Sequence, residues 1–183
     1  MSHKYDQLVT SALTLFYQNS VNSIGINEVL KEAGVAKRTL YNHFSSKEEL
    51  VLATLEKRHK IYLNWLEQTL DKANTDKDVI SFLFNALSSW FTGSASELGE
   101  FKGCFFINTA AEFNNKGSDI FKHCVDHKNA VKALIQSKLS SKNKSLTEAI
   151  YIMQEGAIVA AVMTESHDDL IQTCKSNLLS QLK

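Results

Sequence analysis

Proline is absent from this chain, and glycine occurs only seven times in 183 residues. Sheet-rich folds reverse direction often, and their turns draw on Gly and Pro. So few breakers over this length predict an all-helical chain. The apolar pattern agrees, because it recurs at helical spacing almost throughout. Tyr5, Leu8, Val9, Ala12, Leu15 and Phe16 form the first such stripe. A hydrophobic fraction of 44% is too high for a disordered chain. The length suits one large domain or two small ones, with a real core.

Asn19-Ser20 and Asn22-Ser23 interrupt the first helix. A short second helix follows at 26–33. Gly25 lies in its N-cap region, and Gly34 stands where a helix end accepts a left-handed residue. A third helix runs over 36–43. Ser45 or Ser46 ahead of Lys47-Glu48-Glu49 reads as a cap and an acidic first turn, opening a long fourth helix through Leu70. Asn74-Thr75-Asp76 stops it. A fifth helix carries Val79, Phe82, Leu83, Ala86, Leu87 and Trp90. The stretch 92–99 is a loop, 103–113 a shorter helical piece and 118–139 another helix. The polar run 140–145 is a break before two last helices at 146–164 and 167–182. About nine helices result. No internal repeat or low-complexity segment is present.

The segment INEVLKEAGVAKRTLYNHFSSKEEL, residues 26–50, describes helix, tight turn, helix. Val29, Leu30, Ala33, Val35, Leu40 and Phe44 supply apolar groups that can lock two short helices at a steep angle. That leaves Lys37, Arg38, Thr39, Tyr41, Asn42 and His43 on or near the free face of the second one. Lys and Arg neutralise phosphates, and Thr, Tyr and Asn bond phosphate oxygens. In the major groove Arg reads guanine and Asn reads adenine. A helix-turn-helix places its second helix in that groove.

Ala33-Gly34-Val35, then Thr39-Leu40-Tyr41-Asn42-His43-Phe44, then Lys47-Glu48 and Leu50, resemble the N-terminal domain of TetR-family transcriptional regulators. Phe16 ahead of Asn19-Ser20 fits the family's first helix. The dense likeness covers about a quarter of the chain; the rest resembles the family only in length and helical content. The resemblance implies a homodimeric, usually repressing regulator whose N-terminal domains bind a palindromic operator in double-stranded DNA. Its C-terminal helices bind a small-molecule effector that releases the DNA. By this likeness residues 1–46 form the DNA-binding domain and 47–183 a larger ligand-binding and dimerisation domain. Tyr41, His43 and Lys47 are then expected on the phosphate backbone, and Lys37, Arg38 and Thr39 at or near the bases. Gly25-Ile26-Asn27 departs from the family, where a Thr or Ser often caps the second helix and touches phosphate. Such a contact would here come from backbone N–H groups.

Formal net charge is zero, which at first argues against a nucleic-acid partner. The distribution is uneven. Residues 1–60 hold eight Lys and Arg against six Asp and Glu, a surplus of +2, so the remainder carries −2. No GxxxxGK[ST], GxSxG or HExxH pattern is present, and no enzyme or cofactor is expected. There is no apolar run of about 18 residues and no signal-peptide pattern, so a cytoplasmic chain without membrane contact is expected.

Aromatic residues crowd the middle of the chain. Most must be core, yet Tyr62, Trp65, Trp90, Phe105 and Phe121, with Cys104, are candidates to line an apolar effector pocket. Gly103-Cys104-Phe105-Phe106-Ile107-Asn108 followed by Ala110-Ala111-Glu112 resembles a Gly-Cys helix of a TetR subgroup, part of which senses electrophiles or oxidants. Cys104 near a helix N-terminus, two residues from Lys102, meets the need for a stabilised thiolate; the plain alternative is a small packing residue. The three Cys, 104, 124 and 174, show no disulfide framework. His123, Cys124 and His127 share helical spacing but lack a clear fourth ligand, so no metal site is expected. The last two helices supply the expected dimer interface, through Met153, Gly156, Ala157 and Ala160 on one and Ile171, Cys174 and Leu178 on the other.

Overall fold

The first apolar stripe becomes α1 (His3–Asn19), with Leu8, Val9, Ala12, Leu13 and Phe16 buried. The structure, a computed structural model, describes residues 3–140 and 143–182. Within them lie nine α-helices and no strand. After α1 come α2 (Ile26–Ala33), α3 (Lys37–Tyr41), α4 (Lys47–Leu70) and α5 (Asp76–Phe91). They are followed by α6 (Phe105–Glu112), α7 (Asp119–Lys138), α8 (Lys144–Ala161) and α9 (His167–Leu179). The all-helical expectation therefore holds. Two compact units share these helices. One comprises residues up to Lys60 together with Phe105–His127; the other comprises Ile61–Cys104 and the residues from Lys128 on.

In the first unit α1, α2 and α3 pack on one another around Val29, Ala33, Leu40 and Phe44, all buried. Glu28 reaches back to the Gly25 amide (2.8 Å) at the start of α2. Gly34 (φ 59) closes it, with the Val35 amide bonded to the Leu30 carbonyl (3.2 Å). At the start of α4, Ser46 Oγ accepts from the Glu49 amide (3.2 Å), while the Glu49 carboxylate accepts from the Ser45 amide (2.6 Å). The first turns of α4 are tied to α1. Lys57 Nζ donates to Thr10 Oγ1 (2.6 Å), and the buried Arg58 guanidinium lies 4.7 Å over the Tyr17 ring.

In the second unit α5, α8 and α9 pack mutually. Thr75 Oγ1 caps the Asp78 amide (3.1 Å), and Asp78 Oδ2 returns to the Thr75 amide (3.0 Å). Asn143 Oδ1 caps α8 through the amides of Ser145 and Leu146. Residues 141–142 of the expected 140–145 break lie outside the described residues.

Several helix ends differ from the sequence reading; α8 starts at Lys144 rather than 146, and α9 ends at Leu179 rather than 182. Only Lys37–Tyr41 of the expected 36–43 is α-helix, and past it the His43 amide reaches back only three residues, to the Leu40 carbonyl (2.9 Å). The helical piece expected from 103 starts at Phe105, since Gly103 at φ 82 cannot join a right-handed helix. Helix α8 stops at Ala161, where the amides of Val162 and Met163 reach back only three residues.

Candidate nucleic-acid interface and sensor cluster

Leu40 is the anchor of α3 and has no exposed surface. Its burial turns the rest of a five-residue helix outward. Lys37, Arg38, Tyr41, Asn42 and His43 are exposed, and Thr39 is half-buried. The Lys37 ammonium lies 5.9 Å over the Tyr41 ring, and His43 meets Tyr5 edge to face at 5.9 Å. Tyr5 in turn stacks on buried Phe44 (5.1 Å), so the N-terminal helix braces the end of α3. The result is a row of two cations, a phenol, an amide and an imidazole on one rigid surface. That row can bond phosphates and base edges together.

Lys47 has a different place from the one expected. Its Nζ donates to the Val21 carbonyl (2.7 Å) and lies 5.7 Å over the Phe16 ring. The ammonium is held inside the first unit, fixing α4 to the turn after α1. The Gly25 amide is likewise engaged by Glu28 rather than left free at the start of α2.

Of the expected effector residues, Tyr62, Trp65 and Trp90 form one buried cluster in the second unit. Their ring centroids are 5.3 Å (Tyr62–Trp65), 5.7 Å (Tyr62–Trp90) and 6.3 Å (Trp65–Trp90) apart. Phe101 meets Trp90 edge to face (5.0 Å) and lies 4.7 Å from Phe91. Phe91 and Phe101 also line a cleft of about 600 Å³ with Lys102, Gly103 and His167. Phe105 and half-buried Phe121 belong to the first unit, where Phe105 packs edge-on to Tyr17 (6.1 Å).

Cys104 directly precedes α6, and the cation beside its thiol is Lys128 rather than Lys102, which pairs with Glu100 (2.7 Å). Lys128 Nζ lies 3.2 Å from Cys104 Sγ and 2.6 Å from Glu155 Oε2. Burial works against the ammonium, but Cys104 and Glu155 together outweigh it and hold the Lys128 pKa above the ordinary lysine value. Burial, then Glu155, raises the nearby Tyr151 phenol. Lys128 and Glu155 were not singled out by the sequence, because they stand 24 and 27 residues from their partners.

His127 is buried, stacks on Phe106 and places its Nδ1 3.2 Å from His59 Nδ1. His123 Nε2 lies 3.5 Å from Glu56 instead. Among the described residues no three His, Cys, Asp or Glu converge on a metal position.

The expected dimer residues divide. Ala157, Ile171, Cys174 and Leu178 are buried inside the chain, where α5, α8 and α9 pack, so they are not an outward face. Gly156 is exposed, and Met153 and Ala160 are half-buried. The outward apolar residues of this region, which the sequence reading did not name, are Ile152 (64% exposed), Val159 (47%), Val162 (58%) and Met163 (82%).

Residues 8–54 match the sequence profile described as bacterial regulatory proteins, tetR family. A TetR-family transcriptional regulator from Streptomyces coelicolor superposes with a TM-score of 0.85, over 97% of this chain and 93% of that one, at 19% identity. Residues 8–54 are thus similar to the N-terminal domain of the TetR family, and the whole chain shares the fold of TetR-family regulators. Among curated relatives, the E. coli (strain K12) transcriptional repressor NemR is 24% identical over 178 residues, 90% of this chain and 87% of NemR. The Bacillus subtilis (strain 168) regulator YxaF, itself described as uncharacterized, is 26% identical over 57% of this chain and 56% of YxaF. Against the relatives matched first the chain thus spans about half their length, 56% and 46% for two B. subtilis regulators. All seven residues expected at DNA fall inside the profile match. No helix among its described residues is long and apolar enough to cross a membrane.

Proposed function

We propose that this chain is a cytoplasmic, DNA-binding transcriptional regulator, a repressor that a small, largely apolar effector releases from a palindromic operator. The observation that carries the reading is α3, anchored by Leu40 behind the Gly34 turn and presenting Lys37, Arg38, Tyr41, Asn42 and His43 to solvent. Residues 1–46 are the DNA-binding part, and 47–183 serve effector binding and dimerisation. Tyr62, Trp65 and Trp90 supply the apolar recognition surface, and a homodimer sets two copies of α3 one DNA turn apart, about 34 Å. No reaction is catalysed.

The test is a mobility shift with the DNA upstream of the chain's own gene, followed by selection from genomic fragments. A salt-sensitive, sequence-specific complex is expected, and Arg38→Ala should weaken it by about 1–3 kcal/mol. Absence of any specific complex would overturn the reading.

A second reading makes Cys104 the sensor. It is favoured by the Lys128 ammonium 3.2 Å from the thiol, the setting that stabilises a thiolate. Cys104→Ser should then bind the operator normally and stay bound when N-ethylmaleimide releases the wild type. Release of both alike would remove this reading.

A further inference from the structure

The turn between α1 and α2 is not held by its own sequence. Ser20 adopts φ 73, a left-handed conformation that costs a non-glycine residue free energy unless the surroundings fix it. The contact within the turn is between the hydroxyls of Ser20 and Ser23 (2.9 Å). What clamps it comes from far along the chain. Glu112 Oε1 accepts from the Val21 amide (3.0 Å) and Oε2 from the Asn22 amide (2.6 Å), across 91 and 90 residues. Two successive amides aimed at one carboxylate form a small anion-binding nest, and such charge-assisted bonds are the strong kind. Val21 also gives its carbonyl to Lys47. The turn is therefore held between the first residue of α4 and the last residue of α6.

We propose that Glu112 is the positioning residue that makes operator affinity depend on α6, by holding the α1–α2 turn through the amides of Val21 and Asn22. This rests on the regulator reading above. The turn leads directly into α2, and α2 is joined to α3 by the Gly34 turn, so a displaced turn re-aims the exposed row on α3. Helix α6 is one short rigid element of eight residues. Its first residue follows Cys104, packs on Tyr17 and precedes Phe106, which stacks on His127. A small shift or rotation of α6 carries the carboxylate beyond hydrogen-bond range of both amides. The turn is then released without any change in the DNA-facing side chains themselves.

Glu112→Gln keeps one acceptor and removes the charge. Hydrogen exchange at the Val21 and Asn22 amides should quicken. Affinity for the operator selected with the wild-type chain should fall about tenfold, a loss of roughly 1.4 kcal/mol. The slope of affinity against salt should not change, because no phosphate contact is lost. Glu112→Asp, which keeps the charge on a shorter arm, should fall between the two and decides the matter if Glu112→Gln does not fold. Wild-type operator affinity in the folded variants, with or without faster exchange, would overturn the proposal, as would a changed salt slope. A wild type that selects no DNA sinks the regulator reading and this one together. A wild type that binds equally with its variants sinks this one alone.

Discussion

Lys128 keeps only 18% of its side chain exposed and spans Cys104 and Glu155. Its raised pKa means that it stays cationic throughout the neutral range, next to a thiol that becomes a better nucleophile as its proton leaves. Burial instead pushes the Cys174 thiol up. Iodoacetamide should therefore modify Cys104 before Cys174, as mass spectrometry of timed digests can establish. Lys128→Met should slow the Cys104 reaction, because it removes the ammonium 3.2 Å from the thiol. Equal rates in the two proteins would show that the ammonium does not activate the thiol. The Gly103-Cys104-Phe105-Phe106 motif made this cysteine legible in the sequence, but not its partner. Lys102 was the near cation along the chain, whereas Lys128 arrives only because α7 brings it there. Lys47 shows the same limit from the other side. Its place in the family motif fits a phosphate contact, yet a carbonyl 26 residues away takes its Nζ.

Helix ends obey local rules where a capping or turn residue stands there, and the sequence placed Ser46 and Gly34 at two of them. Thr75, Ser46, Asn143 and Gly34 all stand at the caps or turns that their residue types favour. Losing the hydroxyl in Thr75→Ala should lower the melting temperature by about 2–4 °C, the equivalent of roughly 1 kcal/mol in a chain this size. An unchanged melting curve would mean that packing alone defines the start of α5. The Thr75 hydroxyl, then the Asn74 amide, hold the Asp78 carboxyl below its ordinary value of 3.8. A lowered folded pKa stabilises above the unfolded value and is lost as pH falls through the folded one. The stability advantage of wild type over Asp78→Asn should thus be present at neutral pH and shrink only below about pH 4. Denaturant melts across that range check it, and a gap that persists fully at pH 2 would refute it. Helix faces were legible as apolar stripes but not in what they pack against. Ile171, Cys174 and Leu178 form an apolar stripe whatever it packs against, since the period is the same for an internal neighbour and for a second chain. Only the fold shows that α5 and α8 use the stripe within the chain.

For the whole molecule, zero net charge with a surplus of only +2 in residues 1–60 leaves little general attraction for DNA. On the proposed regulator reading, specific binding comes from a few contacts made twice, by two copies of α3 held in fixed register. With the apolar face of α9 turned inward, the outward stripe available for this is on α8 and just beyond it: Ile152, Val159, Val162 and Met163. Ile152, Gly156 and Val159 recur at steps of four and three, which puts them on one face of α8, and Val162 and Met163 continue the apolar surface just past its end. Val159→Glu places a carboxylate in that face. In a single chain the new group stays in water, so helical content and melting of the protomer should hardly change. In a two-fold dimer each copy of the mutated patch meets the same patch on its partner, so two desolvated carboxylates come together and the pair separates. Sedimentation should report a dimer for the wild type and a monomer for Val159→Glu, with operator binding lost and weak non-specific binding retained. Leu178→Glu, by contrast, buries its charge inside the protomer and should unfold it. A dimeric Val159→Glu with normal operator affinity would place the interface on another face of the molecule.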